Sequence, residues 1–327
     1  MSDVTEEIHD IRAKDAPYTA FSGFCMGSAD VVPGVSGGTM AVALGIYHQL
    51  LAAITSANKD AVMSLLRFDL KKVFATVHWR FLVALLAGVA TGIVIMVKGV
   101  KLPELIAPDS PHRTLIYAIF FGMVLGSAGT LSRHVDIWTP GRFGALALGA
   151  LFGFAVVNLV PVDTPTHPAF IFVCGAIAIC AMLLPGISGS FILLILGKYA
   201  YILGALGEFE LAIILPFVAG CATGLLSFSR LLKWLLDRFH DTMLATLIGL
   251  LIGSLWRIWP YQELTVKVVR HKPRVLGAEP FLPDSLDPKV LVALVVGIGF
   301  VVGLEIYAAR KAKAAALDQP APAVEEA

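Results

Sequence analysis

Apolar residues fill long blocks of this chain, set apart by short polar or proline-rich stretches, and the blocks approach the roughly 20 residues a helix needs to cross a bilayer. Six uninterrupted blocks, at about 81–98, 114–131, 143–160, 211–229, 242–258 and 290–308, predict spanning helices. Two others are broken in the middle. Tyr18 to about Val32 and Met40 to about Ile54 flank Pro33-Gly34-Val35-Ser36-Gly37-Gly38-Thr39, and residues 169–184 and 191–206 flank Pro185-Gly186-Ile187-Ser188-Gly189-Ser190. An arm of ~15 residues makes about 22 Å of helix against about 30 Å of hydrocarbon, too short to cross. The pattern predicts two re-entrant hairpins, at 18–56 and 169–206, each entering and leaving by one face with its irregular tip buried in protein or facing a wet cavity. One broken spanning helix in place of each hairpin is the alternative.

The broken blocks are copies of one another. Residues 29–47, ADVVPGVSGGTMAVALGIY, match 181–199, AMLLPGISGSFILLILGKY, at an offset of 152. AGVATG at 87–92 returns as AGCATG at 219–224, and Gly122-x3-Gly126-Ser127 returns as Gly249-x3-Gly253-Ser254; such small residues let helices approach closely in lipid. The chain therefore reads as an all-α polytopic membrane protein of two repeats, 18–160 and 161–308, each a hairpin plus three spans. Residues 1–17 form a cytoplasmic N-terminal segment, and 309–327, rich in Pro, Ala and acid, a disordered cytoplasmic tail. A hairpin does not change sides whereas three spans do, so the repeats have inverted topology, an arrangement in which secondary transporters bind substrate at the breaks. With a cytoplasmic N-terminus, 15 of the 25 Lys and Arg residues fall on the cytoplasmic side, and five of the other ten lie in the long loop 259–289, where charge counts for less. The basic stretch 57–80 is expected at the surface, with room for a short amphipathic helix.

Composition agrees with this reading. At 57% hydrophobic and 15% charged residues, the chain is too apolar for a soluble two-domain protein, and a formal net charge of +1 gives no reason to expect nucleic acid. Cys25, Cys174, Cys180 and Cys221 sit in apolar segments without zinc or redox spacing and are expected to be buried, inert thiols. No signal peptide, metal or soluble cofactor is expected, and nothing decides between a monomer and a homo-oligomer.

The chemistry lies in the breaks. Proline removes a backbone donor and disfavours helix in the residue before it, while glycine permits backbone angles that other residues avoid. Pro33 and Gly34, like Pro185 and Gly186, must open the helix. The restart at Ser36, Gly37, Gly38 and Thr39, or at Ser188, Gly189 and Ser190, presents unpaired N–H groups and a partial positive charge, which suits an anion. The hydroxyls of Ser36, Thr39, Ser188 and Ser190 add donors without a fixed charge, or else simply cap their own helices. Asp30 is an acid deep in an apolar segment, where the second copy has Met182; it is a candidate to carry a coupling proton, or else it holds the loop open by bonding nearby N–H groups. Lys198 replaces Ile46 at its repeat position and is a candidate contact for a phosphate, with snorkelling to the interface as the alternative. His112, Arg113, Arg230 and Lys233 lie at span ends, where basic residues set topology or touch lipid headgroups.

At MGSADVVPGVSGGTMAVALGIY (26–47) and LLPGISGSFILLILGKY (183–199) the chain resembles the PopT-type polyprenyl-phosphate transporters, a bacterial and archaeal membrane family, and the similarity extends over about 19–308. The resemblance implies a non-enzymatic flippase of the bacterial cytoplasmic membrane. It would return undecaprenyl phosphate, the lipid carrier of cell-wall and surface-glycan synthesis, from the outer to the cytoplasmic leaflet. Its partners would be that lipid phosphate and the surrounding membrane lipids. Carried onto this chain, the site comprises Asp30, Pro33, Ser36, Gly37, Gly38 and Thr39 with Pro185, Ser188, Gly189 and Ser190. An undecaprenyl-pyrophosphate phosphatase is the nearest enzyme, but the arginine of its PGxSRSxxT-type loop is replaced by Gly37 and Gly189, and no E-x-x-x-E pair accompanies it. A channel or transporter for a small soluble anion is the third reading.

Overall fold

Glycine decides where the chain bends at the start of each half. The structure, a computed structural model, describes residues 15–32, 35–57, 61, 63, 64, 67, 69–160, 162, 164–269, 272–285 and 287–317. Pro33 and Gly34, and the N-terminal residues 1–14, thus lie outside the described residues. The first half comprises α1 (Ala16–Asp30), α2 (Gly37–Ala43), α3 (Tyr47–Thr55), α4 (Leu70–Thr76), α5 (Trp79–Val94, prolonged by a π-helical turn to Gly99), α6 (Leu102–Leu105), α7 (Arg113–Ser132) and α8 (Pro140–Val157). The second comprises α9 (Pro168–Leu183), α10 (Gly189–Ile195), α11 (Tyr199–Glu208), α12 (Leu211–Arg238), α13 (His240–Ser254, prolonged by a 3₁₀ turn to Ile258), β1 (Gln262–Val269), β2 (Lys272–Pro280) and α14 (Pro288–Leu317). Among the described residues six helices, α5, α7, α8, α12, α13 and α14, are long and apolar enough to cross a membrane, or up to eight spans if each bent pair α2–α3 and α10–α11 counts as one. The chain is an all-α polytopic membrane protein.

Three expectations need correcting. The apolar stretch after each break is not one straight helix. It bends by 117° between α2 and α3 and by 107° between α10 and α11. Gly45 and Gly197, at φ +68° and +63°, adopt the left-handed conformation that ends a helix. Around each, the hydrogen bonds take the same paired form: Gly45 N to Val42 O with Ile46 N to Ala41 O, and Gly197 N to Leu194 O with Lys198 N to Leu193 O. The loop 259–289 also folds in part, as an antiparallel hairpin from Gln262↔Pro280 to Val269↔Lys272. Within its first strand, the run LTVKV at 264–268 alternates apolar and polar residues, a period-two signal. Finally, α14 runs on to Leu317, into the segment expected to be a disordered tail; residues 318–327 lie outside the described residues.

The helices pair through their small residues. α1 lies on α5, where a side chain on Gly23 would meet the Leu85 carbonyl oxygen at 2.1 Å and one on Gly88 the Ala20 carbonyl at 2.0 Å. In the second half α9 lies on α12, where a Cβ on Gly175 would stand 2.3 Å from Phe217 O and one on Gly220 1.9 Å from Phe172 O. The other spans pair across the halves. A Cβ on Gly122 of α7 would meet Leu294 O of α14, one on Gly297 of α14 would meet Ile119 O of α7, and ones on Gly249 and Gly253 of α13 would meet Leu146 O and Ala150 O of α8, each at 2.1 Å, too close for any residue but glycine. At one end of the α8–α13 pair, Arg142 and the buried Asp241 close an ion pair of 2.7 Å. The core centres on α13, whose Leu247, Ile248 and Leu251 pack with Met40, Ile46 and Ile187 from the two broken segments. Leu86 and Val83 of α5, Leu148 of α8 and Val295 of α14 point outward, as lipid-facing residues do.

Candidate functional site

The two breaks touch. Thr39, fully buried in α2, accepts a hydrogen bond on Oγ1 from the backbone N–H of Gly186 at 2.9 Å. One turn beyond the end of α2, the Tyr47 hydroxyl donates to the carbonyl of Leu183, the last residue of α9, at 2.8 Å. Gly38 lies against the same strand of chain; a side chain there would sit 3.0 Å from Met182 O and 3.6 Å from Leu183 O. Residues 147 and 136 positions apart in the sequence are thereby bonded directly.

The first break is closed on itself. Asp30 ends α1, and its Oδ1 accepts from Gly37 N at 2.7 Å. A Cβ on Gly37 would stand 2.7 Å from Asp30 Oδ2, so only glycine admits the carboxylate. Ser36 is extended and caps α2: its Oγ accepts from Gly38 N at 3.1 Å and its carbonyl from Thr39 N at 2.9 Å. The first three N–H groups of α2 are thus taken by the chain's own oxygens. Asp30 holds the loop, and the Ser36 hydroxyl serves as a cap.

The second break is arranged differently although it copies the first. Gly186 turns at φ +86°, and a side chain there would come within 2.7 Å of Ser254 Oγ and 3.1 Å of Leu250 O. Ser188 occupies the capping position of α10 but its hydroxyl does not cap; it pairs with Ser190 Oγ at 2.8 Å. The N–H groups of Gly189 and Ser190 find no partner among the described residues, and Ser190 is exposed. Met182, half exposed, replaces the acid. The asymmetry between Asp30 and Met182 in sequence becomes an asymmetry between a filled loop and an open one.

Lys198 is not brought to the breaks. It is buried at the turn between α10 and α11, where its ammonium donates to Thr164 O at 2.5 Å and lies 5.8 Å from the Tyr201 ring centre. Arg257, outside both motifs, reaches the start of α10. It ends α13 in the 3₁₀ turn and lies over the ring of Phe191, next to Ser190, at 5.0 Å. No local signal marks it: one arginine near a span end reads as a topology determinant. Cys25 and Cys174 are buried and Cys180 and Cys221 partly so, all as free thiols. Among the described residues no three His, Cys, Asp or Glu side chains gather as a metal site would require.

The chain is similar to known proteins over most of its length. A polyprenyl-phosphate transporter of Vibrio cholerae is 38% identical over 301 residues, which cover 89% of this chain and 96% of the relative. A polyprenyl-phosphate transporter of Staphylococcus aureus is 28% identical over 265 residues, 73% of this chain and 84% of the relative. No solved structure matches the chain. Residues 26–275, both breaks included, match the model of the VCA0040-like, undecaprenyl phosphate translocase-like proteins, and the chain belongs to that family.

Proposed function

We propose that this chain carries a polyprenyl phosphate of the undecaprenyl type across the bacterial cytoplasmic membrane, from the outer to the cytoplasmic leaflet, without chemical change to the lipid. One observation carries the reading: the bond from Gly186 to Thr39 joins two helix breaks of opposite halves into a single buried polar locus. The names of the Vibrio and Staphylococcus relatives point to the same substrate. The phosphate needs several donors and no fixed geometry, which hydroxyls and backbone N–H groups supply, while its hydrocarbon tail stays in the bilayer.

In this reading the repeats are inverted and the hairpins reach the locus from opposite faces. Ser188, Gly189 and Ser190 receive the headgroup first, because the N–H groups of Gly189 and Ser190 have no partner among the described residues and one of the two paired hydroxyls keeps its proton to donate. Ser36, Gly37, Gly38 and Thr39 receive it once Asp30 withdraws, and protonation of Asp30 is the event that releases Gly37. Pro33, Gly34, Pro185 and Gly186 keep both helices open, and Lys198 secures the second hairpin through Thr164. The N-terminus lies in the cytoplasm.

The test is reconstitution of the purified protein with labelled undecaprenyl phosphate, scored by loss of leaflet asymmetry. Wild type is expected to equilibrate the leaflets without releasing inorganic phosphate from the pyrophosphate lipid, and the double variant Ser188→Ala/Ser190→Ala to do so about five- to tenfold more slowly, for the loss of two hydroxyl contacts. A wild-type protein that leaves the lipid in its original leaflet and binds only soluble phosphate refutes the assignment.

A further inference from the structure

Among the described residues Arg257 is a guanidinium with no carboxylate partner. It is partly buried at the end of a membrane helix, and an arginine in such a place retains its charge and ordinarily finds a carboxylate. Among the described residues the ion pairs are Lys101–Glu104, Arg142–Asp241 and Lys233–Asp237, and none involves Arg257. Its guanidinium rests over the Phe191 ring at 5.0 Å, and among the described residues no hydrogen bond takes up the N–H donors along its edge.

A second cation stands within electrostatic reach. Arg113 lies over Tyr117 at 4.4 Å, and two of its donors are committed, to Ile106 O at 2.6 Å and to Gln262 Oε1 at 3.1 Å. The residue before Arg257, Trp256, lines a groove of about 710 Å³ whose walls also include Phe121, Phe154, Trp259 and Phe281. Trp256 adjoins Arg257 in the 3₁₀ turn, and Phe121 is one helical turn along α7 from Tyr117. A fixed positive charge next to an aromatic groove is matched to a ligand with a phosphate at one end and an unsaturated hydrocarbon at the other.

We infer that Arg257, backed by Arg113, is the cationic anchor that draws a lipid phosphate onto Ser188 and Ser190 of the second break, while the first isoprenoid units of its tail lie in the groove of Trp256 and Trp259. The inference rests on the proposed function and adds to it a charged recognition element that neither PGxSG motif contains. It also separates lipid from soluble anion, because the groove rewards only the former.

Binding to the purified full-length protein tests this, with polyprenyl phosphate, the uncharged polyprenol and inorganic phosphate as three probes. Arg257→Gln is expected to weaken polyprenyl phosphate binding about 10- to 100-fold, the effect of one charge-assisted contact, and to leave polyprenol binding at the wild-type value. Arg257→Lys, which restores charge without the fork, is expected to recover part of the loss. Trp256→Ala is expected to weaken both lipids alike. Polyprenyl phosphate affinity unchanged in Arg257→Gln overturns the anchor, as does an equal loss for polyprenol, which would mark Arg257 as merely structural. Binding of inorganic phosphate through Arg257 with no binding of polyprenyl phosphate overturns both the lipid anchor and the proposed function. Wild type that flips polyprenyl phosphate while Arg257→Gln binds it normally overturns the anchor alone.

Discussion

Gly186→Val is expected to abolish lipid transport, lowering the rate by more than about a hundredfold, in a chain that still folds its spans. Position 186 turns at φ +86°, and a left-handed residue with a Cβ costs about 1–2 kcal/mol. The new side chain would also have to displace Ser254 Oγ, 2.7 Å from its Cβ, and the Leu250 carbonyl at 3.1 Å; overpacking of this kind costs about 1–3 kcal/mol. Every 1.4 kcal/mol or so is tenfold in a population, so the tip geometry that lets Gly186 donate to Thr39 is all but lost. Gly45→Val provides the contrast: φ there is +68° but nothing lies within 4 Å of the added Cβ, so it bears the strain without the collision. It should slow transport about tenfold. Leaflet equilibration in proteoliposomes and helical content by circular dichroism together check both. Wild-type rates in Gly186→Val would show that the contact between the breaks is dispensable.

Asp30→Ala is expected to reduce transport by about tenfold to a hundredfold, whereas Asp30→Asn should transport at a rate that no longer varies with pH. Alanine removes the acceptor of the 2.7 Å bond and leaves the buried Gly37 N–H unsatisfied, at about 1–3 kcal/mol. Asparagine keeps an acceptor of nearly the same shape but cannot take up a proton. The pair thus separates holding the loop from titrating. Transport rates measured on both variants from acid to neutral pH decide the matter: if asparagine retains the wild-type pH profile, the proton belongs to another group.

The membrane class and the six long helices were legible because a bilayer demands ~20 apolar residues at a stretch, and few other structures require that. The breaks were legible because they recur. The bend after each was not recognised, although Leu44-Gly45 and Leu196-Gly197 recur too; their glycines lie in apolar sequence, where helix packing explains a glycine equally well. The bond from Lys198 to Thr164 O was not legible, because its partner is a backbone atom 34 residues away, and side-chain type says nothing about such a bond. Arg257 was invisible for the opposite reason. Its significance comes from what does not pair with it and from Phe191, which reaches it only through the folding of another helix. Single residues tied by tertiary contacts leave no spacing in a sequence, whereas repeated ones do.

The cross-pairing of α7 with α14 and of α8 with α13 has a consequence for how the protein is made. When the ribosome has delivered residues 1–160, the glycine faces of Gly122 on α7 and of Gly149 on α8 have met none of their final partners, since those carbonyls belong to Leu294 and Thr246. The first half must wait in the bilayer, lined with lipid where protein will later sit, until translation reaches residue 294. Neither half is a finished object. Two separately synthesised halves would have every reason to find each other, and a chain truncated before α14 would leave α7 as an incomplete surface exposed to quality control.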